Sequence, residues 1–110
     1  MFVANDREKS MYSIRYEIPL PIEAYDALHA AVTAETDQSG EGLLVHIGRA
    51  IPQGFEIIEV WESKEHFATF MENTLPRALA NLPAAGGPFP APNEFDLRGF
   101  LVYSKGSIIQ

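Results

Sequence analysis

The sequence predicts an α+β fold of the ferredoxin-like kind, with four strands and two helices in the order βαββαβ and an antiparallel sheet carrying both helices on one face. Residues 12–18 alternate apolar and polar side chains, the period of a half-buried strand. Residues 42–71 run as strand, tight turn, strand and helix with almost no connecting residues. Apolar residues recur at helical spacing after the first strand and again after the third, so each helix has a face to lay on the sheet.

In the first strand Tyr12, Ile14, Tyr16 and Ile18 share one face, while Ser13, Arg15 and Glu17 share the other. Pro19 and Pro21 stop it, and Pro21 suits the first turn of a helix because its missing N–H has no intrahelical partner there. Ile22, Tyr25, Leu28, Val32 and the alanines around them make this helix amphipathic to about Thr36. Glycines at 40 and 42 then end it.

Residues 43–50 and 55–62 have the β-branched and aromatic content of strands, and Pro52-Gln53-Gly54 supplies the turn. Placing Ile51 opposite Gly54 pairs Arg49 with Glu56, Ile47 with Ile58, Val45 with Val60 and Leu43 with Glu62 on one face. The other face pairs Ala50 with Phe55, Gly48 with Ile57, His46 with Glu59 and Leu44 with Trp61. Both faces are apolar, so both need a cover. A chain of 110 residues has helix enough for one; a second copy supplying the other makes a homodimer the expected assembly.

Ser63 is placed to N-cap the second helix, with Glu65 in its first turn and Phe67, Phe70, Met71 and Leu75 on its apolar face. Asn73-Thr74-Leu75-Pro76 is expected to interrupt it, followed by a short helical piece over 76–82 with Leu75, Leu79 and Leu82 inward. Residues 83–93 form a Pro/Gly-rich loop, which reads as a lid with Phe89 as its apolar tip, a plain connector being the alternative. Residues 95–103 read as the last strand, with Arg98 and Gly99 marking an irregularity. The chain divides into a loose arm over 1–10, one domain over 11–103, and a tail over 104–110 whose Ile108 and Ile109 are expected to pack on a partner subunit.

The formal net charge is −7 and the pI near 4.8, which argues against nucleic acid and anionic membranes as partners, since both require clustered Lys and Arg. There is no cysteine, so thiolate chemistry, iron–sulfur clusters and cysteine-bound zinc are excluded. No stretch has the length of a membrane span and the N-terminus does not read as a signal peptide, which makes the cytoplasm the expected compartment. No dinucleotide fingerprint, phosphate-cradling loop or nucleophile elbow is present, and the three histidines lack metal-ligand spacing. Neither a cofactor nor a metal is therefore expected.

At the junction Glu59-Val60-Trp61-Glu62-Ser63-Lys64-Glu65-His66-Phe67 the chain resembles the dimeric α/β-barrel superfamily, and within it the antibiotic-biosynthesis monooxygenase-like proteins, through a W-x-S-x-x-x-F pattern. The resemblance extends in element order over most of 11–103. It implies a dimer whose two sheets close a barrel, and an activity among those of the superfamily: cofactor-independent oxygenation of aromatic polyketides, haem degradation, isomerisation or cyclisation. The haem-degrading branch carries a histidine ligand late in the second helix; residues 72–82 contain none, and His66 stands at that helix's start.

His46 opposite Glu59 is the sharpest candidate for chemistry, because a carboxylate bonded to an imidazole fixes its tautomer and raises its basicity, suiting it to take a phenolic or enolic proton. The pair fits a satisfied polar contact in a dimer interface as well. Trp61, with Tyr12 and Tyr16 if the first strand's aromatic face is on the same side, is expected to line a flat apolar pocket for a small apolar or aromatic molecule, with core packing of each ring as the alternative. Imidazole, carboxylate and indole are expected to line a hollow between the two facing sheets. His29 reads as a boundary residue beside Tyr25 and Val32, and His66 as a solvated residue in the second helix's first turn, with a place at a pocket mouth as the alternative. Arg49, Arg77 and Arg98 are candidates to hold an anionic group, with ion pairing as the alternative. The function expected is a cofactor-independent, monooxygenase-like enzyme acting on a cyclic or aromatic metabolite. The alternatives are an isomerase or cyclase working by proton transfer, and a small-molecule-binding or structural dimer without catalysis.

Overall fold

A computed structural model of the protein describes residues 11–36, 41–80, 82 and 90–101. Strand β1 (Tyr12–Ile18) is followed by helix α1 (Ile22–Thr36), strands β2 (Leu43–Ile51) and β3 (Gly54–Trp61), helix α2 (Lys64–Thr69), a π-helical turn (Phe70–Thr74), helix α3 (Leu75–Leu79) and a short strand β4 (Asn93–Glu94). The sheet order is β2-β3-β1-β4. Every pairing is antiparallel. This order, with two helical segments on one face, is the ferredoxin-like arrangement.

The core lies between sheet and helices. Ile14, Tyr16 and Ile18 of β1 and Phe55, Ile57 and Trp61 of β3 are buried against Phe67, with Ile22, Tyr25, Leu28, Phe70 and Met71 packed around them. Ile14, Phe55 and Trp61 are the largest side chains withdrawn from solvent altogether, and each contributes about 1.5–3 kcal/mol by burial. The opposite face of the sheet carries Val45, Ile47, Ile58 and Val60 beside an ionic group, with Ile47 half exposed.

From Val45 to Ile51 the hairpin register is the one the sequence predicts. Before Val45 it differs: Leu43, not Leu44, stands opposite Trp61, because the register slips at a bulge between Leu43 and Val45. The bulge lets Gly42, at φ 84°, bring its carbonyl to the Glu62 amide at 2.7 Å.

The second helix also departs from expectation. The chain does not break at 73–76 but widens into the π-helical turn, where the Leu75 amide donates to the Phe70 carbonyl five residues back. A proline ring crowds the carbonyl four residues before it, and the wider turn accommodates Pro76 without ending the helix. Leu75 is buried as expected, but Leu79 is 38% exposed and Ala78 takes the inward position. The last strand is shorter and earlier than expected. Among the described residues after Glu94 only the Phe95 amide, bonded to the Ser13 carbonyl at 3.1 Å, continues the ladder, and Ser13 Oγ donates to the Phe95 carbonyl at 2.7 Å. A side chain capping the backbone in this way competes with strand pairing, and residues 95–101 run on without regular structure. The arm over 1–10, the tail over 104–110 and most of the expected lid, Phe89 included, lie outside the described residues. No described helix is long and apolar enough to cross a membrane.

Candidate functional site

Strands alternate their side chains, so His46 on β2, Glu59 and Trp61 on β3 and Tyr12 and Tyr16 on β1 share one side of the sheet with Ile14 and Ile57. That side is the helix-covered one. The imidazole, carboxylate and indole do meet, but inside the protomer beneath α1 and α2, not in a hollow between two sheets. The register that puts Ile14 and Trp61 in the core places His46 and Glu59 there too.

Glu59 is buried, and both of its oxygens are engaged: Trp61 Nε1 donates to Oε1 at 2.9 Å, and His46 Nδ1 lies 2.8 Å from Oε2. His46 Nε2 lies 2.9 Å from the Tyr25 hydroxyl, which in turn is 3.2 Å from His29 Nδ1. Five side chains from three elements thus form one hydrogen-bonded chain. It leads from an indole with no exposure to a half-buried histidine on α1. Among the described residues no buried side-chain polar atom lacks a partner.

Tyr25 and His29 are the members that the sequence reading does not assign to the site. Tyr25 and His29 are one helical turn apart, and their spacing alone marks them as neighbours. What brings them to His46 is the packing of α1 on β2, and Gly48 is its signature: a Cβ there would overlap the Tyr25 ring. The Tyr25 ring stacks on His46 at 5.9 Å between centroids, and His29 and His46 are 5.5 Å apart. Burial raises the Tyr25 phenol above its ordinary pKa, aided by Asp26 and Glu59. Burial also lowers that of His29, helped by His46 and opposed by Asp26. Near neutral pH the pair is therefore a phenol and an uncharged imidazole.

Tyr12 and Tyr16 lie on the same sheet face as Trp61, with Tyr12 its direct partner across the strands. The space between them is occupied. Phe67 packs on Tyr12 and Trp61 at 5.2 and 5.8 Å, Phe70 on Trp61 at 5.2 Å, and Tyr16 reaches Met71 Sδ at 3.9 Å. Burial, then the Glu94 carboxylate, push the Tyr12 phenol up to about 12. Burial raises that of Tyr16 as well.

A cavity of about 370 Å³ opens instead between the end of α1 and the second helix, lined by Glu35, Glu41, Glu65, His66 and Phe70 among others. His66 Nδ1 is held there by Ser63 Oγ at 2.7 Å. A second, more open hollow of about 460 Å³ lies by the β2–β3 turn. Neither includes His46 or Trp61. Arg49 is paired with Glu56 and Arg77 with Glu35, each at 2.7 Å, while Arg98 is exposed. No group of three or more His, Asp or Glu among the described residues is placed to hold a metal ion.

No protein-family model matches the chain, and no curated protein does. Among solved structures there is a match to a crystal structure described as a candidate antibiotic biosynthesis monooxygenase from Chloroflexus aurantiacus J-10-fl. The chain is similar to that protein. The superposition has a TM-score of 0.49 at 22% identity and covers 74% of this chain and 100% of the other.

Proposed function

We propose that the protein is a cofactor-independent enzyme that takes a phenolic or enolic proton from a small cyclic or aromatic molecule. The observation that supports this reading is the unbroken chain from Trp61 through Glu59 and His46 to Tyr25. Both nitrogens of His46 are engaged, so the imidazole acts on a substrate through the Tyr25 hydroxyl. The substrate's proton passes to the Tyr25 oxygen as the phenol's own proton passes to His46 Nε2, and the Glu59 carboxylate stabilises the imidazolium that results. The resulting anion of the substrate either reacts with dioxygen, as in a monooxygenase, or regains a proton at another carbon, as in an isomerase or cyclase. The name carried by the Chloroflexus protein belongs with the first of these outcomes.

The test uses a panel of phenols and enolisable cyclic ketones, followed by dioxygen uptake and by deuterium incorporation at the carbon next to the carbonyl. Positioned general bases contribute about 10²–10⁴-fold; His46→Ala and Glu59→Gln are expected to lose activity on that scale while keeping the wild-type circular dichroism. Turnover unchanged in His46→Ala would remove the base. Uptake of dioxygen marks oxygenation, and isotope incorporation without it marks isomerisation.

The second reading is a binding or structural dimer with no chemistry. It is favoured by the packing at Trp61, which has no exposure, and by the two cavities that bypass His46. In that case the polar chain fastens α1 to the sheet, and the same variants alter stability alone. On either reading we infer a homodimer, supported by the apolar side chains of Val45, Ile47 and Ile58 on the face away from the helices.

A further inference from the structure

Counting donors along the chain assigns every proton in it. A carboxylate only accepts, so His46 Nδ1 donates to Glu59. With His46 neutral its Nε2 is bare and accepts from the Tyr25 hydroxyl. That leaves the Tyr25 oxygen as acceptor, so His29 must donate from Nδ1, the tautomer that imidazole does not prefer in water. When His46 gains a proton the assignment reverses. Nε2 now donates to the Tyr25 oxygen, the phenol's proton turns toward His29, and His29 Nδ1 must be bare with its proton on Nε2. Both states satisfy every group; they differ by one proton in total, with the donor reversed at the two links that Tyr25 makes and the His46–Glu59 bond the same in both.

From this geometry we infer that His29, Tyr25 and His46 are a proton path between solvent and the buried Glu59, in which protonation of His46 switches the tautomer of His29. Inward transfer balances atom by atom. A proton binds His29 Nε2, the His29 Nδ1–H bond breaks as a new Tyr25 O–H forms, and the old Tyr25 O–H breaks as His46 Nε2–H forms. The side chains that face His29 are Tyr25 and Asp26 on α1 and His46 on β2, with Glu59 on β3 behind His46. Gly48 positions the relay, because only the absence of a Cβ lets the Tyr25 ring lie on β2 within reach of both imidazoles. The inference deepens the proposed role of His46, but its test requires no substrate.

Imidazole nitrogen chemical shifts of the ¹⁵N-labelled protein, followed from pH 8 to pH 5, report each tautomer directly. In the wild type His29 is expected as Nδ1–H while His46 is neutral, and as Nε2–H once His46 is charged. Tyr25→Phe keeps the ring and removes only the hydroxyl; there His29 is expected as Nε2–H at every pH at which it is neutral, with His46 still Nδ1–H through Glu59. Gly48→Ala, which changes none of the four polar residues but pushes the Tyr25 ring off β2, is expected to behave like Tyr25→Phe. A wild-type His29 that is Nε2–H while His46 is neutral, or a switch that survives Tyr25→Phe, would overturn the path. A switch present in the wild type alongside full turnover in His46→Ala would instead sink the catalytic reading and leave the path standing.

Discussion

Glu56 is a carboxylate on the sheet face away from the helices, withdrawn from solvent and held by two guanidinium groups. Arg49 Nε reaches one oxygen at 2.7 Å, and Arg15 reaches the other at 2.7 and 3.0 Å while also pairing with Glu17. Arg49 and then Arg15 hold the Glu56 carboxyl below the usual carboxylate range. A carboxyl whose pKa is lower folded than unfolded adds stability above its unfolded value, about 4.3, and loses it as pH falls through the folded value. Melting temperature should therefore drop on acidification below that point, and Glu56→Gln should flatten the drop while leaving its slope near neutrality alone; identical acid limbs in the two proteins would contradict this. The Arg49–Glu56 and His46–Glu59 pairs were legible in the sequence because hairpin register is local. Arg15 and Tyr25, the partners that complete these two groups, come from β1 and α1 by packing across the chain, and no residue spacing announces them.

Ser63 joins the third strand to the second helix, and its extended backbone and side-chain acceptance from the His66 amide at 3.1 Å are those of an N-cap. Ser63→Ala is expected to cost about 1 kcal/mol, read as a lower urea midpoint with an unchanged slope, and to free the His66 ring at the cavity. A midpoint equal to that of the wild type would show the cap to be redundant with the packing of Phe67. Most element boundaries followed from strong local signals: the prolines at 19 and 21, the turn at 52–54 and the serine at 63 each act through their own backbone. The errors fell where a local signal met tertiary packing. Pro76 should end a helix, yet a π-helical turn carries the chain past it and keeps Leu75 and Ala78 in the core. Residues 95–101 carry strand composition, yet the ladder stops once Ser13 has bonded the Phe95 carbonyl.

At the scale of the molecule, the sheet separates two environments: an interior with a continuous polar chain, and an outer face where Ile47 stands 49% exposed among aliphatic neighbours. If two copies pair through that face, light scattering at micromolar concentration should give twice the mass of one chain. Ile47→Glu should halve it, because an unpaired charge buried at an interface is costly. A wild-type mass of about 12 kDa, that of the single chain, would dismiss the homodimer. Among the described residues the strand that carries Ile47 is also an outer strand of the sheet, and nine residues of regular edge would be an open template for stray chains to zip onto. The bulge at Leu44 bends that template at its start and spoils the spacing a straight recruit would need. Excising the one surplus residue would straighten the margin of the molecule, trading a defect in pairing for a propensity to fibrillate.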